Sequence, residues 1–347
     1  MRRSKILHVL FVVFGLILLA ANVPGTNPVA LDYPSNWPEP VYDFDKNPLT
    51  EEGIALGRKL FYDPILSKNN TISCSSCHLS FTAFTHVDHA LSHGINDSIG
   101  NRNSMALVNL AWSKHFMWDG STNHLDVQAL APINDVREMG ETTVGVIHKL
   151  QETDDYPDLF QTAFGDSIIT GEHLLKALSQ FQLTFISANS KYDQVMRNDE
   201  GVEFSAQEKN GYQLFKVNCN SCHREPLFTT DEFANNGLPV DTTLNDWGRL
   251  NISLSSTDSL KFKIPTLRNI EFSRPYMHDG RFKKLRQVLD HYNVGISESP
   301  TLAPELKNGI ALTADEKVDL ISFLLTLSDR DFLLNSDLAF PALQVGE

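Results

Sequence analysis

The chain has 347 residues, 41% of them apolar, and carries 29 basic against 43 acidic side chains for a formal net charge of −14. That balance argues against a nucleic-acid-binding protein, which needs a basic face toward phosphate, and no run of Lys or Arg supplies one. The length suggests two domains rather than one, and the apolar fraction is enough to build their cores.

The chain opens with Arg2, Arg3 and Lys5, then an apolar run from Ile6 to Ala21 that Asn22-Val-Pro-Gly breaks. A charged start, a short hydrophobic stretch and small residues at its end describe a secretory signal peptide over residues 1–21. Left uncleaved, the run would be an N-terminal membrane anchor, although it is slightly short of the roughly 17–25 residues of a span. Either way the body is exported, and a periplasmic location is expected. Residues 22–48 hold six prolines and read as an extended tether.

From there the pattern is mainly α, without sustained period-two alternation. The first domain is expected over residues 49–200 and the second over 201–335, divided at the polar stretch Asn198 to Glu203. Glu51 to Tyr62 and His173 to Ser187 space their apolar residues as helices do. Ser205-Ala-Gln-Glu208 and Thr313-Ala-Asp-Glu316 are capping boxes, each opening a helix.

All four cysteines lie in Cys-x-x-Cys-His motifs, Cys74-Ser-Ser-Cys77-His78 and Cys219-Asn-Ser-Cys222-His223. Two thiols at that spacing add across the vinyl groups of one haem, and the next residue presents its imidazole to the iron. The competing reading, two knuckles sharing one zinc ion, does not require a histidine after each pair. No cysteine is left for a disulfide. The expected fold class is therefore mainly α, with two cytochrome c-like domains and one covalent c-type haem in each. The acidic surface suits a basic redox partner, or serves solubility alone.

A repeat links the halves. Leu107 to Gly120 (LVNLAWSKHFMWDG) and Leu267 to Gly280 (LRNIEFSRPYMHDG) share Leu, Asn, Ser, Met, Asp and Gly at equal spacing. Within it Trp118 stands against His278. An indole there is either core packing or an electron conduit between haems. Extending the same offset sets Pro132, which cannot ligate iron, opposite Tyr292, whose phenolate can. One iron open to substrate and one closed iron holding an electron is the asymmetry that peroxide reduction requires. Glu138 is a candidate general acid–base and Gln128 a candidate for orienting peroxide.

Over residues 45–330 the chain resembles the bacterial dihaem cytochrome c peroxidase family. The likeness rests on CSSCH, SHG (92–94), GNRNS (100–104), FMWDG (116–120), LDVQALAPI (125–133), REM (137–139), CNSCH, PTLRN (265–269), PYMHDG (275–280) and LDHYNVG (289–295). The resemblance implies a cytochrome-c peroxidase in which a small donor protein, a cytochrome c or a cupredoxin, delivers electrons to the C-terminal haem on His223. Those electrons reduce hydrogen peroxide at the N-terminal haem on His78. It places Trp118 between the haems and Gln128 and Glu138 on the peroxide side, and makes His93 the removable sixth ligand of the first haem. His86 and His89 share that loop, and the His-Gly context selects His93. It further implies a calcium ion between domains, with Asn103 giving a side-chain oxygen and Ser273 and Pro275 backbone carbonyls, and it leaves a homodimer open.

The chain departs from the family at Tyr292, where methionine is usual. Tyrosine there resembles the related methylamine-utilisation enzyme, which oxidises a partner protein, and it should lower the haem potential. Met277 is a competing ligand, although the repeat pairs it with Met117 and so with packing. The other readings are a dihaem oxidase of a protein or organic substrate and a non-catalytic electron carrier.

Overall fold

The computed structural model describes residues 25–341, so the apolar run at 6–21, and with it the signal-or-anchor expectation, lies outside the described residues. Among the described residues no helix is long and apolar enough to cross a membrane. The first half contains α1 (Glu51–Tyr62), α2 (Leu125–Gln128), α3 (Leu130–Asn134), α4 (Thr143–Gln151), α5 (Tyr156–Phe164), α6 (Gly171–Leu183) and α7 (Lys191–Arg197). The second contains α8 (Ala206–Asn218), α9 (Leu250–Ser253), α10 (Leu285–Asp290), α11 (Ala314–Leu325) and α12 (Arg330–Leu333). The sheet is minimal: β1 (Phe233–Ala234) pairs antiparallel with β2 (Phe262–Lys263).

Local chemistry accounts for the main helix starts. Thr50 caps α1 by accepting the Gly53 amide at 3.0 Å, and Glu51 and Glu52 complement the dipole of the first turn. Both expected capping boxes form, Ser205 with Glu208 ahead of α8 and Thr313 with Glu316 ahead of α11. The helix expected to run to Ser187 stops at Leu183. Beyond it the chain is claimed by Asn109, whose amide donates to the Phe185 carbonyl at 2.8 Å and whose Oδ1 accepts from Ser187 N at 2.9 Å.

The sequence repeat is a repeat of structure. Asn109 and Asn269 both adopt left-handed φ, 56° and 60°, as do Met117 and Met277 (67° and 76°) and Gly120 and Gly280 (68° and 65°). Asn269 N donates to Leu327 O at 3.0 Å, after α11, as Asn109 does after α6. In each half one helix crosses another backbone to backbone at a glycine. A Cβ on Gly57 in α1 would lie 1.9 Å from Ala177 O in α6, and one on Gly211 in α8 would lie 2.0 Å from Asp319 O in α11.

Each half has its own apolar cluster, one around Phe61, Phe84, Phe181 and Phe185 and one around Phe215, Phe228 and Phe323. The packing does not follow the expected boundary. Tyr192 of α7, assigned to the first domain, packs into the second cluster, where neighbouring Asp193 forms a buried bidentate pair with Arg268 at 2.8 Å. Conversely Phe332, Leu333 and Leu338 pack into the first cluster. Nor is the proline-rich segment a free tether. Its prolines keep it extended, but Trp37 is only 6% exposed and packs with Leu49, Leu110 and Trp112, because aromatic side chains between the prolines have apolar area to bury.

The glycine crossings generate a prediction. Gly57→Ala or Gly211→Ala should lower the unfolding free energy by about 1–3 kcal/mol through overpacking. Denaturant titration of the variants checks it.

Candidate functional site

Each Cys-x-x-Cys-His motif lines its own cavity. The first, of about 510 Å³, is walled by Cys77, His78, Met117, Gln128, Pro132 and Glu138 among others. A small adjoining space of about 60 Å³ adds Cys74 and His93 to the same set. The second cavity, about 220 Å³, is walled by Cys219, Cys222, His223, Met277 and Tyr292. Because the two cysteine pairs face different cavities, they do not share one zinc ion.

The two motif histidines are held in the same way. His78 Nδ1 donates to the Phe84 carbonyl at 2.6 Å, and His223 Nδ1 lies 3.1 Å from Pro265 O and 3.3 Å from Phe228 O. A carbonyl only accepts, so Nδ1 carries the hydrogen and Nε2 keeps its lone pair for a metal. Burial lowers both pKa values, that of His223 to about 4, so both rings are neutral at pH 7. Burial also pushes the Cys74 and Cys219 thiols up to about 12. Protonated thiols in apolar walls beside a neutral imidazole fit a covalently attached porphyrin in each half.

The surroundings of the two motifs differ. In the first cavity Gln128 Nε2 points at Met117 Sδ, 3.6 Å away, and Glu138 is held with a raised pKa, mainly by burial and then by the charge of Asp135, against a smaller pull from Arg137. Gly94, next to His93, sits so close to this segment that a Cβ would meet Arg137 O at 2.1 Å, which ties the histidine loop to the backbone of Glu138. His89 packs at a tilt against His93, centroids 4.1 Å apart, and stacks on His86 at 4.8 Å, and of these three rings His93 is the one in the cavity wall.

Pro132 stands in the first wall and Tyr292 in the second, as the extended repeat anticipates. Burial raises the Tyr292 phenol to about 12, opposed by a hydrogen bond from Asn236. The Asn236 amide also reaches Met277 Sδ at 3.4 Å, so both ligand candidates converge on one cavity and one amide. Asn103, Ser273 and Pro275, expected around calcium, share the wall of this cavity.

Trp118 lines both cavities. Its Nε1 donates to Asn103 O at 2.8 Å, its carbonyl accepts from Lys263 N at 2.7 Å, and Asn103 N donates to His278 O at 2.7 Å. His278, its counterpart in the repeat, instead stacks on Phe262 at 3.7 Å. Sequence reasoning missed two polar residues here. Lys263 also lines both cavities, with its ammonium 2.9 Å from Asp231, and Asn236 positions the second-cavity ligand candidates. Neither lies in a motif; only the pairing of β1 with β2 brings Lys263 to the wall.

A family model described as di-haem cytochrome c peroxidase matches residues 51–201. Methylamine utilization protein MauG of Methylorubrum extorquens is 36% identical over 84% of this chain and 82% of its own length. Cytochrome c551 peroxidase of Nitrosomonas europaea is 32% identical over 68% of this chain and 71% of its own. A crystal structure of a MauG-like protein associated with microbial copper homeostasis superposes with a TM-score of 0.80 at 30% identity, covering 90% of this chain and 99% of that one.

The separate cavities carry a direct expectation. Replacing Cys219 and Cys222 together by Ser should leave covalent haem in the first half only, so that the haem content per chain, measured as the pyridine haemochrome after denaturation, falls by half.

Proposed function

The chain belongs to the di-haem cytochrome c peroxidase family, and on that premise we propose that it is a periplasmic peroxidase that reduces hydrogen peroxide in the first cavity with electrons accepted through the second. The observation that carries the proposal is the convergence of Gln128 and Glu138 on the cavity of His78, where Pro132 offers no ligand. Bound c-type haem would supply electron storage and the redox chemistry of O–O cleavage, held by Cys74, Cys77 and His78 in one half and by Cys219, Cys222 and His223 in the other.

The side chains divide the remaining work. Glu138, as carboxylate, takes the proton from the nearer oxygen of peroxide and returns it to the departing one, so that water leaves rather than hydroxide. Burial favours this exchange, because a carboxylate drawn toward neutrality both accepts and releases the proton readily. The Gln128 amide orients peroxide by hydrogen bonding. Trp118 is the bridge through which electrons cross between cavities, and His93 is the removable group that closes the first cavity at rest. A small exported redox protein is the donor. Calcium, if bound, would be held by oxygens of Asn103, Ser273 and Pro275.

Tyr292 favours one second reading, oxidation of a protein substrate, the role that the resemblance to the methylamine-utilisation enzyme implies. Peroxide added with and without ferrocytochrome separates the readings. Rapid ferrocytochrome oxidation supports the peroxidase, and a long-lived optical change without donor oxidation supports the other. No change at all overturns both.

Three outcomes are expected. Glu138→Gln should keep both haems but lose about 10²–10⁴-fold in peroxide turnover. Since the base works deprotonated and burial raises its pKa, wild-type turnover should fall with decreasing pH along a limb lying above the ordinary glutamate value of 4.5, and stopped-flow pH profiles should lack that limb in Glu138→Gln. Tyr292→Phe should raise the midpoint potential of the second haem while Met277→Leu leaves it unchanged, as read by spectroelectrochemistry.

A further inference from the structure

The first cavity has a second tryptophan in its wall, Trp112, which is absent from the wall of the second cavity and packs against the proline-rich segment of residues 25–48, the strap before α1. Its ring is 5.3 Å from Tyr33 and 5.2 Å from Trp37, both edge-on. Tyr33 is half-buried at the surface, and its phenol donates to the Glu39 carboxylate at 2.7 Å. We propose that Trp112 and Tyr33, with Glu39 as proton acceptor, form a redox outlet through which the first cavity draws an electron from the protein surface. The proposal rests on the peroxidase reading, which supplies the oxidant.

Physical differences among the three rings choose the route. Trp37 lies 4.6 Å beneath the Arg268 guanidinium, and a cation over an aromatic face holds the ring's electrons, so oxidising Trp37 is disfavoured. Trp112 donates its indole N–H to the Pro38 carbonyl at 2.7 Å, an oxygen that cannot take the proton, so this ring relays rather than stores. Tyr33 has what a stable oxidised residue needs, a carboxylate already hydrogen-bonded to the proton that must leave. Trp112, in the cavity wall, passes one electron inward. Tyr33 replaces it, transferring its phenolic proton to Glu39 and becoming a neutral tyrosyl radical. Tyr33 thus supplies one of the two electrons and one of the two protons that convert one hydrogen peroxide to two waters; the other electron comes through the second half of the same chain and the other proton from solvent.

Without a donor protein this outlet carries oxidising equivalents away from the cavity, and the half-buried ring leaves Tyr33 open to reduction by a small phenol in solution. The route is distinct from Trp118, which leads to the second cavity.

The test is freeze-quench electron paramagnetic resonance of the full dihaem protein mixed with peroxide in the absence of donor, with ring-deuterated tyrosine to identify the signal. A tyrosyl radical is expected in wild type. It should be lost in Tyr33→Phe and diminished in Glu39→Gln, with haem content, haem spectra and donor-supported turnover unchanged in both. Persistence of the signal in Tyr33→Phe, or its loss in Tyr42→Phe instead, overturns the assignment. No tyrosyl signal alongside normal donor-supported turnover overturns this inference alone, whereas absence of turnover in wild type overturns the peroxidase reading with it.

Discussion

The wall between the two cavities is built by three hydrogen bonds, and the rest of the molecule is organised about it. Asn103 N donates to His278 O, Trp118 Nε1 to Asn103 O, and Lys263 N to Trp118 O. These bonds join segments far apart in the chain, and each satisfies a backbone group that would be costly to bury unpaired. They also leave Trp118 little freedom to turn. A single indole thus lines both cavities, and the spacing of the two cavities is set by backbone geometry rather than by flexible side chains.

Around that wall the two halves repeat one plan with different contents. The crossings at Gly57 and Gly211, the left-handed asparagines and the paired Met-x-Asp-Gly turns place equivalent backbone around each cavity. Function then depends on what fills matched positions. Pro132, which has no side-chain donor for iron, stands in one cavity wall, and Tyr292, which has one, stands in the other. Trp118 against His278 gives the wall an oxidisable ring on one side and a stacked, neutral imidazole on the other.

The halves are also bound to each other by exchange. The strap before α1 lays Trp37 against Trp112 and beneath Arg268, α7 sends Tyr192 into the second cluster, and the C-terminal residues return Phe332 and Leu338 to the first. The buried Arg268–Asp193 pair sits where these paths meet. Such a pair contributes less to net stability than to specifying one arrangement, since breaking it would strand a buried charge. Relative motion of the two cavities is restrained accordingly.

Much of this was legible in the amino-acid order. The family, the capping boxes, the repeat and the matched wall positions of Pro132 and Tyr292 all depend on spacing along the chain, and covalent geometry with helical periodicity converts such spacing directly into position. The residues illegible there are those whose role arises from contacts between distant segments. Lys263 reaches the wall by pairing with β1, Asn236 approaches Met277 and Tyr292 only after the chain folds back, and α6 ends at Leu183 because Asn109 takes up the carbonyl and amide that follow. The tether reading failed for the same reason: proline content set its extended conformation, but the surface available to Trp37 was decided by where Trp112 and Arg268 came to lie. Local order along the chain determined the chemistry at each motif; tertiary structure alone decided which chemistries face one another, because that depends on burial and hydrogen-bond partners that no short stretch contains.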